Sequence, residues 1–150
     1  MVYYFIALIV LIVDQLSKWL VVQNMTIGES IQLIPHIFYL TSLRNTGAAW
    51  NILEGQFVFF FLVTGVVLVI IIYYMQRYGR KQPLLGTALG LIIGGALGNF
   101  VDRLFRGEVV DFFHVYIFQY SFPVFNVADA SLSIGVFFMI IYLLKDGKKE

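Results

Sequence analysis

Four long apolar runs alternate with polar stretches along the chain, at about residues 2–22, 57–74, 84–101 and 127–144. Each is long enough, as a helix rising about 1.5 Å per residue, to cross a hydrocarbon core of roughly 30 Å. The pattern predicts an all-α integral membrane protein, one domain over residues 1–150. It places four transmembrane helices beside two longer loops, about 24–56 and 102–126. In the first loop Ser30-Ile31-Gln32-Leu33-Ile34 and Ile37-Phe38-Tyr39-Leu40-Thr41 read as strands broken at Pro35-His36, giving a small sheet at the membrane surface.

Details of the runs refine this picture. No basic segment precedes the first run and no small-x-small cleavage site follows it, so it reads as an anchor rather than a secretory signal peptide. It carries Asp14 and Lys18 four residues apart, on one helix face. The pair is either a polar site inside the membrane or a snorkelling lysine with its counter-charge. The run 57–74 has no charge. In the run 84–101, Gly86, Gly90, Gly94, Gly95 and Gly98 form a stripe for close helix packing. Arg44-Asn45-Thr46-Gly47-Ala48-Ala49-Trp50-Asn51 reads as a turn with an aromatic anchor at Trp50, and the aromatic stretch Tyr116 to Phe122 as an interfacial lid or anchor.

Composition supports lipid as the solvent: 60% of residues are hydrophobic and 13% charged, too few polar groups to cover a soluble core. Ten Lys and Arg against nine Asp and Glu leave +1, so no charged field points to nucleic acid. Cys is absent and His36 and His114 are the only histidines, which removes thiol chemistry and Cys-type metal sites. Basic residues set the orientation. Arg77, Arg80, Lys81, Lys145, Lys148 and Lys149 outweigh Arg44, Arg103 and Arg106, so both termini are expected in the cytoplasm and the two longer loops together on the outer face.

That outer face collects costly groups. Asn99, Asp102 and Arg103 end the third run, Asp111 lies in the loop, and Asn126 and Asp129 open the fourth run. Asn126 and Asp129 follow ordinary helix-start grammar. Asp102 does not, since an acid at a helix C-terminus opposes the dipole, and an Asp inside a membrane helix costs about 2.5 to 3.5 kcal/mol at its centre. Two nearby carboxylates cannot both ionise, so one can act as general acid and the other as general base on a water between them, with no metal or cofactor. The residues alone leave the choice between Asp102 and Asp111 open. A proton-coupled transporter or channel using the same acids is the alternative, but it calls for acids spread toward the inner face or an internal repeat.

Asp14-Gln15-Leu16-Ser17-Lys18, Asn45-Thr46-Gly47-Ala48-Ala49-Trp50, Gly98-Asn99-Phe100-Val101-Asp102-Arg103, Val109-Val110-Asp111-Phe112 and Phe125-Asn126-Val127-Ala128-Asp129 resemble, in order, the motifs of bacterial lipoprotein signal peptidase, or signal peptidase II. The resemblance implies a multi-pass aspartyl endopeptidase of the bacterial cytoplasmic membrane that removes signal peptides from prolipoproteins before a diacylglyceryl-modified cysteine. It implies Asp111 and Asp129 as the catalytic pair. Asn45, Asn99, Arg103 and Asn126 would line the substrate site, with Gly47 and Ala128 in the same set. Asp14 and Lys18 would support it, and Asp102 would brace Arg103 or the neighbouring loop. A monomer in contact with membrane lipids and sensitive to globomycin-like peptides is also implied.

Overall fold

The computed structural model describes residues 2–47 and 55–146. Ala48, Ala49, Trp50, Asn51, Lys148 and Lys149, singled out above, lie outside them. Helices α1 (Val2–Asn24), α2 (Phe57–Tyr74), α3 (Pro83–Arg106) and α4 (Val127–Asp146) accompany strands β1 (Ser30–Ile34), β2 (Phe38–Asn45), β3 (Val109–Ile117) and β4 (Tyr120–Ser121). Four helices are long and apolar enough to cross a membrane.

The central helix is α3: 67% of its most apolar stretch is buried inside the protein, against 28%, 11% and 17% for the spans containing α1, α2 and α4. Those three turn side chains such as Leu62, Val69 and Phe137 outward, as helices solvated by lipid do. The glycine stripe serves two neighbours rather than one. A Cβ on Gly94 would sit 2.7 Å from the Ala7 carbonyl of α1, and one on Gly95 only 2.5 Å from the Ala128 carbonyl of α4. Backbones at that distance leave no room for a side chain.

Two boundaries differ from the sequence reading. Helix α3 does not stop at 101 but runs to Arg106, ending where Gly107 takes φ 76° and its N–H donates to the Arg103 carbonyl. The apolar pattern fades earlier because the last turn buries a charge, Asp102, against other charges instead of against hydrocarbon. The second long loop also contains β3. Its run Val-Val-Asp-Phe-Phe-His-Val-Tyr-Ile is rich in the β-branched and aromatic residues that favour strands.

The four strands form one antiparallel sheet in the order β1-β2-β3-β4. The β2–β3 register slips between Leu40, opposite Phe113, and Leu43, opposite Asp111. One extra residue on β2 flips every later side chain to the other face. Continued without the slip, the pairing would put Ser42 opposite Asp111; with it, Leu43 lies there and Asn45, opposite Val109, shares that face. The far side of β3 is tied to α4, because Phe113 and Phe125 exchange backbone hydrogen bonds of 2.7 and 3.0 Å just before that helix begins. Val110 and Phe112 pack with Val21 of α1, fixing the sheet to the end of the bundle.

Candidate active site

Asp111 on β3 and Asp129 in the first turn of α4 are brought together by one residue, Asn126. Its Nδ2 donates to Asp111 Oδ1 at 2.7 Å, its backbone N–H donates to Asp129 Oδ2 at 3.1 Å, and its Oδ1 accepts from the Asp129 N–H at 2.9 Å. The last two bonds are the reciprocal capping box that starts a helix. Asn126 and Asp129 therefore serve both the cap and the carboxylate pairing.

Two further amides complete the frame. Asn45 Nδ2 donates to Asp111 Oδ2 at 2.9 Å, and its Oδ1 is occupied by the Gly47 N–H at 2.9 Å. Asn99 Nδ2 donates to Asp129 Oδ1 at 2.7 Å, while its Oδ1 accepts from Lys18 Nζ and Asn126 Nδ2. Each amide oxygen has a donor of its own, so each NH2 group is left facing a carboxylate.

Asp111 is 3% exposed. Burial, and then the neighbouring Asp129 carboxylate, push its pKa up from 3.8 to about 6 against the opposing hydrogen bonds from Asn45 and Asn126. Among the described residues no three His, Asp or Glu side chains converge as metal ligands.

Below this pair lies a buried charge cluster. Lys18 does not snorkel: it is fully buried, with Nζ 2.8 Å from Asp14 Oδ2, 2.9 Å from Asp102 Oδ2 and 2.9 Å from Asn99 Oδ1. Asp14 Oδ1 accepts the Ala128 N–H at 2.9 Å, using a free donor at the start of α4. Asp102 accepts from Lys18, Arg106, Gln15 and the Val110 N–H. Arg103 is not among those partners. It donates instead to the Gly47 carbonyl at 3.0 Å, lies 4.7 Å from the centre of the Phe60 ring, and keeps a buried Nε with no partner.

The residues singled out from sequence thus form two connected layers, with Asp111, Asp129, Asn45, Asn99, Asn126 and Arg103 above Asp14, Lys18 and Asp102. Gly47 and Ala128 contribute backbone groups. Gln15 and Arg106 were given no role from sequence. The spacing of Asp102 and Arg106, four apart on a helix, was the available signal for Arg106; Gln15 bridges Asp14, Asp102 and the Gly98 carbonyl and gives no such signal. His114 lies apart, bonded to Thr41 and Ser121, with its pKa lowered by burial.

Comparison with known proteins adds an independent line. A sequence model of the signal peptidase (SPase) II family matches residues 6–145. A lipoprotein signal peptidase of Bacillus subtilis (strain 168) is 58% identical over 151 residues, spanning 100% of this chain and 98% of the relative. Two solved structures, each described as a bacterial membrane enzyme, align with TM-scores of 0.94 and 0.89. They share 45% and 46% identity, covering 99% and 97% of this chain and 91% and 94% of theirs.

Proposed function

The chain belongs to the signal peptidase II family, and from that premise we propose an aspartyl endopeptidase that cleaves prolipoproteins before a diacylglyceryl-modified cysteine, with Asp111 and Asp129 activating the water. The observation that carries this reading is the pairing of the two carboxylates through Asn126.

In this mechanism Asp111, raised to about 6, holds the shared proton, and Asp129 is the base. Water between them gives a proton to Asp129 as its oxygen attacks the scissile carbonyl. Asp111 passes its proton to the carbonyl oxygen; as the C–N bond breaks, the proton on Asp129 leaves with the departing amine and one hydroxyl of the tetrahedral intermediate returns a proton to Asp111. The three amides hold the carboxylates in place so that little reorganisation is needed. Asn45 and Arg103, with its unpartnered Nε, line the substrate side; Asp14, Lys18 and Asp102 brace the floor.

The chain is read as one membrane domain, acting as a monomer, with both termini cytoplasmic and the carboxylate pair near the outer surface. The excess of Arg and Lys at the opposite end supports that orientation. Incubating the purified protein with a diacylglyceryl-modified prolipoprotein and an unmodified one tests the reading. Mass spectrometry of the products should place the new N-terminus at the lipidated cysteine. Cleavage of both precursors alike, or at another bond, would contradict it.

A further inference from the structure

At the end of the bundle away from the carboxylates, a cavity of about 510 Å³ is lined by Arg77, Tyr78, Lys81, Gln82 and Tyr142. Three features set it apart from an ordinary basic loop. The first is backbone form: Met75–Gly79 winds as a single π-helical turn after α2, an irregularity that recurs at functional positions. This turn is seated closely on α3, since a Cβ on Gly86 would lie 2.6 Å from the Gly79 carbonyl and one on Gly79 would lie 3.3 Å from Leu89 Cδ1.

The second feature is the lining itself. A guanidinium, an ammonium, an amide and two phenol hydroxyls all offer N–H or O–H donors, and none of the five lining residues is an acid. The segment from Gln76 to Gln82 holds Arg77, Arg80 and Lys81 and no acid, and among the described ion pairs none involves Arg77 or Lys81. Such a lining suits an acceptor-only anion of phosphate type. The third is position, because the cavity borders apolar surface: Tyr73 and Tyr74 before the turn and Leu143 beside Tyr142 are 60%, 49% and 60% exposed. Acyl chains attached to a bound phosphate would run along these exposed helix faces.

We propose that this cavity binds the phosphate headgroup of an anionic membrane lipid, with Arg77 and Lys81 carrying the charge and Tyr78 and Gln82 the remaining hydrogen bonds. In the orientation given above, the lipid belongs to the cytoplasmic leaflet, where anionic headgroups attract basic clusters next to membrane helices. The site is separate from the carboxylate pair, so it is tested by binding and not by cleavage.

Native mass spectrometry of the purified protein in neutral detergent supplies the test, with phosphatidylglycerol, phosphatidylcholine or inorganic phosphate added in turn. Phosphatidylglycerol should be retained at least about fivefold more than phosphatidylcholine, and a tenfold excess of inorganic phosphate should not displace it. The pair Arg77→Gln and Lys81→Gln should lose about that preference, while Arg80→Gln, outside the cavity lining, should keep it. Equal retention of the two lipids by the unaltered protein overturns the proposal without recourse to a variant. So does displacement by inorganic phosphate, which would make the ligand a free anion. An equal loss in Arg80→Gln would show a diffuse surface field in place of a site.

Discussion

Asn126 and Asp129 hold each other through two reciprocal hydrogen bonds, 3.1 Å from the Asn126 backbone to the carboxylate and 2.9 Å from the Asp129 backbone to the amide oxygen. The Asn126 NH2 group reaches Asp111 at 2.7 Å, so one side chain caps a helix and sets the separation of two acids. Asn126→Ala should therefore damage stability and rate unequally. Loss of the cap should cost about 1 to 2 kcal/mol, readable as a lower unfolding temperature. Peptidase activity should fall by about 100-fold or more, beyond what the unfolded fraction explains. A variant that loses only stability would separate the cap from the chemistry.

The raised pKa of Asp111 predicts a pH dependence whose sign is fixed. Its folded value of about 6 exceeds the ordinary 3.8, so the folded state binds the proton more tightly than the unfolded chain. Stability associated with this group is fully present below about pH 4 and is lost as pH rises through about 6, amounting to roughly 2 to 3 kcal/mol. Asp111→Asn should flatten that part of the stability profile and raise stability at neutral pH. Cleavage should pass through a maximum, with an alkaline limb whose apparent value belongs to the coupled pair. Urea unfolding and initial rates from pH 4 to 8 check both.

Lys18 holds two buried carboxylates and orients Asn99. Lys18→Met leaves Asp14 and Asp102 without their shared cation and should destabilise by about 3 to 5 kcal/mol. Adding Asp14→Asn should recover part of the loss, because one uncompensated charge is removed. Thermal unfolding of the single and double variants in detergent checks this, and an additive double variant would contradict the coupling.

Helix spacing is open to a simple comparison. Gly95→Ala pushes a methyl group to 2.5 Å from the Ala128 backbone carbonyl and 2.9 Å from Leu132 Cγ. It should cost about 1 to 3 kcal/mol and slow cleavage by shifting Asp129. Gly65→Ala meets nothing within 4 Å and should be neutral or slightly stabilising. Equal effects at the two positions would refute the close-contact account.

Much of this arrangement was legible in the sequence. Hydrophobic run length located the four helices, and the break at Pro35-His36 separated β1 from β2. The last turn of α3 and the extent of β3 did not follow from apolar run length, because their polar residues interrupt it while being buried by one another, Asp102 by Lys18 and Arg106, Asp111 by Asn45 and Asn126; in β3 only the β-branched and aromatic composition signals a strand. The bulge in β2 has no local sequence signature, yet it decides that Asn45 shares the face of Asp111. Residue types at the site could be read, and so could their gathering at one end of the bundle. The partners could be read only in part: of the two expected for Asp102, Arg103 and the neighbouring loop, the loop is one, through the Val110 N–H, while its other bonds go to Lys18, Gln15 and Arg106.

The central claim is that Asp111 and Asp129 together activate water. Replacing each in turn by Asn keeps the side-chain shape while removing the shared proton, and leaves one oxygen to accept where the carboxylate had two. Cleavage of a diacylglyceryl-modified prolipoprotein should fall by about 10,000-fold or more in both Asp111→Asn and Asp129→Asn, with unfolding temperatures at or above that of the unaltered protein for Asp111→Asn. Either variant cleaving at a rate within about tenfold of the original, while folded, would contradict the account.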